Sequence, residues 1–180
     1  MKGHIENRLK QLCSGELLAV IGFAIASVLV NHHYPSLKLY SLFSFWTAFL
    51  LMEFILLQGT MYWYAKLKRF RDEKTIITPG NVIRKLVKLR KLNLLVIAIP
   101  PFAFIFDFVR LQSPLPSGGI WIAACIYLFT ILEYINYFHT QLSYDNKADL
   151  LYLKQHKALK QASMKRDINR LFHKNVKKNL

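Results

Sequence analysis

Two glutamates stand inside stretches that are otherwise apolar, and they are the residues with the most chemistry to offer. In the segment ILEYINYFHTQLSY, helical spacing puts Glu133, Asn136, Tyr137, Thr140 and Tyr144 within one stripe about 100° wide, with Gln141 at its edge. Glu53 is followed at the same spacing by Thr60 and Tyr64, so the pattern E-x6-T-x3-Y occurs twice. An ionised glutamate at the centre of a membrane helix costs roughly 3 kcal/mol to insert on translocon scales, and more in simulations. Such a group is therefore expected to be neutral, to share a proton with a second carboxyl, to hold a cation, or to face a cavity. No Lys or Arg lies at matching depth to pair with either residue. Proton-linked movement and cation binding follow as possible chemistry. The simpler alternative is that Glu, Asn and Thr only hydrogen-bond the helices together, for under about 2 kcal/mol each.

The elements that must position these residues are four apolar blocks, at residues 17–37, 39–65, 92–109 and 120–144. Each approaches the length needed to span a hydrocarbon core of about 30 Å. Glu53 lies about 20 Å along its helix from Lys66, and Glu133 about 18 Å from Asp145, so both sit near mid-membrane. The fold class this predicts is all-α: a polytopic membrane protein with four transmembrane helices in two hairpins, residues 1–144, followed by a basic helical tail, residues 145–180.

Composition agrees. The 180 residues are 53% hydrophobic and 14% aromatic, richer in apolar side chains than an ordinary soluble domain. The net charge of +15 is explained by topology rather than by nucleic acid. Of the 25 Lys and Arg residues, 23 fall before the first block, between the second and third, or after the fourth. The positive-inside rule places those segments and both termini in the cytoplasm. A multi-pass protein of the plasma membrane is the expected setting. The residues NHHYP at 31–35 supply no signal-peptidase site, so the first block is read as a retained helix.

Several smaller features complete the reading. Ser14 is a plausible helix cap, with Glu16 in the first turn after it. Trp46 and the run Tyr62, Trp63, Tyr64 resemble interfacial anchors. In the loop at 66–91, Val82, Ile83, Leu86 and Leu89 share one helical face opposite Arg84, Lys85, Lys88 and Lys91, which suits an anionic leaflet. Pro100 and Pro101 should kink the third span and release the carbonyls of Val96 and Ile97. Asp107 and Arg110, three apart, can pair at its outer end. In the tail, Leu150, Leu153, Ile168, Leu171 and Phe172 would line one side of a continuous helix, interrupted by Lys154 and Lys157. A solvated or partner-docking helix fits that pattern. The recurrence of Glu53, Thr60 and Tyr64 as Glu133, Thr140 and Tyr144, with Pro35 matching Pro114, is compatible with a parallel internal repeat.

Enzyme signatures are sparse. Cys13 and Cys125 are expected on different sides of the chain, too far apart for a disulfide, and no zinc ligand spacing is present. HExxH, G-x-S-x-G and Gly-rich phosphate loops are absent, and nothing implies a cofactor or a metal. YDNKAD, carrying Asp145 and Asp149, reads as the acidic start of the tail helix. The leading expectation is a protein that acts by binding, as an accessory or assembly subunit for another membrane protein, a second copy of itself or anionic lipid. Its candidate contacts are Glu53, Thr60, Tyr64, Glu133, Asn136, Tyr137, Thr140 and Tyr144, with the basic stripe on lipid headgroups. A proton- or cation-coupled transporter or flippase using Glu53 and Glu133 is the alternative. A lipid-modifying enzyme using Glu133, Asn136, Tyr137 and His139 is a third reading.

Overall fold

A computed structural model describes residues 2–111, 117–144 and 147–176. It is all-helical there, with no strand and one isolated antiparallel bridge, Thr140 to Gln161. The helices are α1 (Lys2–His33), α2 (Phe43–Glu73), α3 (Gly80–Ile97), α4 (Ile99–Leu111), α5 (Ser117–Phe138), α6 (Lys147–His156) and α7 (Ser163–Val176). Four helical stretches are long and apolar enough to cross a membrane: Gly3–His33, Phe43–Glu73, Gly80–Leu111 and Ser117–Phe138. They mark the chain as an integral membrane protein. Pro114, Asp145 and the side chains of Asp149 and Leu150 lie outside the described residues.

Helix α1 runs unbroken through Ser14, which is not a cap. Its hydroxyl donates to the Gln11 carbonyl within the same helix, at 3.3 Å. The N-terminal half is held against α2, with Leu9 buried beside Leu67 and Phe70 and Glu6 paired to Arg71 at 3.0 Å. Pro35 follows its end, and two 3-10 turns, Pro35–Leu37 and Leu39–Ser41, reverse the chain through Lys38 at φ 48°. Gly119 lets α5 start beneath this turn, since a Cβ there would collide with the Leu37 carbonyl and with Leu42.

Helix α2 is the axis of the molecule: α1, α4 and α5 all pack against it. One end of its core joins Leu39, Leu42, Phe45, Phe49, Met52, Leu56 and Ala123. The other joins Leu51, Ile55 and Tyr62 to Ile83, Leu86, Tyr134, Phe138, Met164 and Ile168. No side chain of α2 itself caps its start. Asp107 of α4 does so instead, accepting from the backbone N–H of Phe43 at 3.1 Å and of Ser44 at 2.7 Å. The expected Asp107–Arg110 ion pair is therefore replaced: Asp107 is fully buried, and the Arg110 guanidinium lies 5.4 Å from the Phe43 ring.

The third candidate span is interrupted at Ala98, just ahead of the proline pair. α3 ends at Ile97 and α4 begins at Ile99, and the Ile97 carbonyl, which Pro101 cannot serve, accepts from the Tyr127 hydroxyl at 2.9 Å. α3 and α4 form one apolar-length stretch, so the amphipathic segment is an extension of the third candidate span. Ile83 and Leu86 are buried, and Arg84, Lys85, Lys88 and Lys91 are exposed.

The tail is not one solvated helix. It breaks at Lys157, φ 47°, and returns to the bundle. α7 packs on α3 and α5, burying Met164 and Ile168, while Phe172 stays exposed.

Candidate binding site

Every candidate span contributes a polar side chain to one level near the basic end of the bundle. On α5, Tyr137 donates its hydroxyl to the Glu16 carboxylate of α1. The ring gets there by passing α2 at Gly59, where a Cβ would lie 2.6 Å from the tyrosine oxygen. One residue earlier on α2, Gln58 exchanges two 2.9 Å hydrogen bonds with Asn93 of α3, both amides being buried. Glu133 accepts from Asn136 at 3.3 Å. Gln58 stands about 12 Å along its helix from Lys66, within reach of the basic end rather than at mid-span.

A cavity of about 250 Å³ opens beside this layer, lined by Glu16, Glu133, Asn136 and Tyr137 together with Phe129 and Trp63. It adjoins a second cavity of about 480 Å³, with which it shares Arg8, Leu12, Trp63, Gln141 and Ser163.

The predicted seam is only partly assembled. Glu133, Asn136 and Tyr137 come together as expected, but their acidic neighbour is Glu16, not Glu53. The expectation that Glu16 only opens a helix does not hold: it lies mid-helix in α1. Glu53 lines neither cavity, and its buried Oε1 has no hydrogen-bond partner among the described residues. Thr60 donates back to the Leu56 carbonyl of its own helix at 3.1 Å, and Tyr64 is exposed.

Thr140 and Tyr144 leave the expected stripe because α5 stops at Phe138. Beyond it the chain pairs with the returning tail: Gln141 N–H donates to the Lys160 carbonyl at 2.8 Å, and Lys160 N–H to the Tyr144 hydroxyl at 2.8 Å. The Asn136 side-chain oxygen Oδ1 accepts from Leu142 N–H at 2.8 Å and secures the exit. His139 turns toward the Tyr134 ring, 5.5 Å away, and lines neither cavity. Burial, and then the charges of Arg90 and Lys165, hold its imidazole below the usual range. The set Glu133, Asn136, Tyr137, His139 thus does not converge on one point.

Sequence reasoning missed Asp167. It is buried where α7 meets α2, and its Oδ2 accepts from the Tyr62 hydroxyl at 2.7 Å and from Thr78 at 2.5 Å, with the Lys66 ammonium 3.0 Å away. Lys66 also donates to Tyr62 at 2.7 Å. Burial pushes the Asp167 carboxyl up, but the charge of Lys66 and the bonds from Thr78, Tyr62 and Lys66 outweigh it and hold the group below its ordinary value. Tyr62, expected as an interfacial anchor, is fully buried in this network.

Comparison with protein-family models, with curated proteins and with solved structures finds no match.

Proposed function

We propose that this chain is a multi-pass protein of the plasma membrane that acts by binding, as an accessory subunit held at an anionic cytoplasmic leaflet. In this reading both termini are cytoplasmic, the spans form two hairpins, and the basic end of the bundle lies at the headgroups. The observation that carries it is α3. Arg84, Lys85, Lys88 and Lys91 are exposed on the face opposite buried Ile83 and Leu86, directly ahead of the exposed apolar residues Leu92, Leu94 and Leu95. A rigid helix that carries four cations into the apolar span fixes them at headgroup depth, where each is worth about 1 kcal/mol on an anionic surface. Another membrane protein or a second copy would then meet the exposed apolar faces, on which α1 alone presents Leu17, Leu18, Ile21, Ile25, Val28 and Leu29.

The test is reconstitution in lipid discs with and without phosphatidylglycerol. Wild type should gain thermal stability from the anionic lipid. The variant Arg84→Gln/Lys85→Gln/Lys88→Gln/Lys91→Gln should gain little, and an equal gain in both would count against the reading.

A transport reading is favoured by a different observation. Glu16, Tyr137 and Glu133 sit around a cavity that communicates with the basic end, as a proton- or cation-linked carrier requires. It would use Glu16 with Glu133, and Glu53 separately. Proton flux in proteoliposomes that is lost in Glu133→Gln but kept in the α3 variant would support it over lipid binding alone.

A further inference from the structure

The larger cavity lies between the N-terminal half of α1, the basic end of α2 and α7, and none of the four α3 cations lines it. Among the described residues, Arg8, Lys66, Lys160, Arg166 and Arg170 line it with one acid, Asp167, and Arg166 also donates to the Ser163 hydroxyl at 3.1 Å. That carboxylate is already engaged by Tyr62, Thr78 and Lys66, with Arg170 at 3.5 Å. A concave site in which one sign of charge predominates focuses its field and concentrates counter-ions. Three of the five cations are guanidiniums, brought together from α1 and α7, and their forked donors match a tetrahedral oxyanion better than point charges do. The site also sits at a polar–apolar boundary, because Leu12 and Trp63 continue its wall into the smaller cavity toward Phe129.

We propose that this cavity is a binding site for a phosphate group, with Arg8, Arg166 and Arg170 as its principal donors and Trp63 on its apolar side. The phosphate comes either from the headgroup of a phospholipid or from a free phosphate compound, and the volume of about 480 Å³ accommodates both. This goes beyond attachment through α3 and does not depend on it.

Trp63 lines the cavity and so reports on its occupancy. The full chain carrying Trp46→Phe and Trp121→Phe, which leaves Trp63 as the sole tryptophan, is titrated in neutral detergent with inorganic phosphate, with short-chain phosphatidic acid and with matched phosphatidylcholine. Calorimetry on the unsubstituted chain reads the same constants. Saturation by both phosphate and phosphatidic acid is expected if the phosphate alone is recognised, and saturation by phosphatidic acid alone if the source is a lipid. Arg166→Gln and, on a different helix, Arg8→Gln should each weaken binding about tenfold. Arg166→Lys should recover part of that loss, and the fourfold α3 variant should bind as wild type does. Binding of phosphatidylcholine equal to that of phosphatidic acid would overturn the proposal, as would no saturation by either phosphate compound in folded protein. Loss in the α3 variant with Arg8→Gln and Arg166→Gln unaffected would overturn it too, and would leave leaflet attachment standing.

Discussion

Tyr137 reaches Glu16 across α2 at Gly59, so one hydroxyl ties α5 to α1 through a notch in the helix between them. The contact depends on three residues of three helices. Gly59→Ala should displace the tyrosine ring and cost about 1–3 kcal/mol, as overpacking does. Tyr137→Phe and Glu16→Ala, combined in a double-mutant cycle of unfolding in detergent, should show a coupling of about 1 kcal/mol. Additive losses would mean that the hydroxyl and the carboxylate stabilise the fold independently.

Asp107 supplies the cap that α2 lacks. Asp107→Ala leaves the N–H groups of Phe43 and Ser44 without their acceptor and should destabilise by about 2–3 kcal/mol. Asp107→Asn keeps one acceptor oxygen and should lose about half as much. Arg110→Gln should change stability little, because Arg110 is no partner of Asp107. Equilibrium unfolding of the three variants checks the order.

Gln58 and Asn93 satisfy each other. Gln58→Leu alone strands the Asn93 amide in the core and should cost more than about 1 kcal/mol, whereas Gln58→Leu/Asn93→Leu removes both polar groups and should recover most of it. A double variant no more stable than the single would mean that the amides have further partners.

Asp167 makes the docking of α7 sensitive to acid. Its folded-state value lies below the unfolded value of about 3.9, so its contribution is present above about pH 4 and lost as pH falls through the folded value. Asp167→Asn should cost about 3 kcal/mol at neutral pH, because Lys66 then stays buried without its partner carboxylate. The difference between wild type and Asp167→Asn should shrink through that acid window. Unfolding midpoints collected against pH measure it, and a constant difference would contradict the assignment.

What the sequence made legible was set by period and by covalent chemistry. Apolar runs and charge placement are enough to find four spans. Pro100 and Pro101 locate the break between α3 and α4, since a missing N–H has the same effect in any fold. The alternation of Ile83 and Leu86 with Arg84, Lys85 and Lys88 gives the face of α3. The site was harder because helix partners are set by packing. Glu53 and Glu133 were matched by counting residues from the nearest charge, yet the groups that share a level with Tyr137 are Glu16, Gln58 and Asn93. A usable signal was present: Glu16 directly precedes the first apolar block, Asn93 is the second residue of the third, and Gln58 lies in the basic-side half of the second, next to the only glycine of α2. Thr140 and Tyr144 were misplaced because a helical stripe cannot reveal that the backbone after Phe138 will pair with residues 160–162. Asp167 was hidden for the same reason, since its partners Tyr62, Lys66 and Thr78 lie about ninety residues or more earlier in the chain.

The most direct test of attachment at an anionic leaflet is a count of retained lipids. Wild type, the fourfold α3 variant and Arg8→Gln are extracted from bilayers of mixed phosphatidylglycerol and phosphatidylcholine and weighed intact by native mass spectrometry. Wild type should keep phosphatidylglycerol in preference to phosphatidylcholine, and the α3 variant should lose most of that preference. Retention of the same anionic lipids by the α3 variant and wild type would contradict the role assigned to Arg84, Lys85, Lys88 and Lys91.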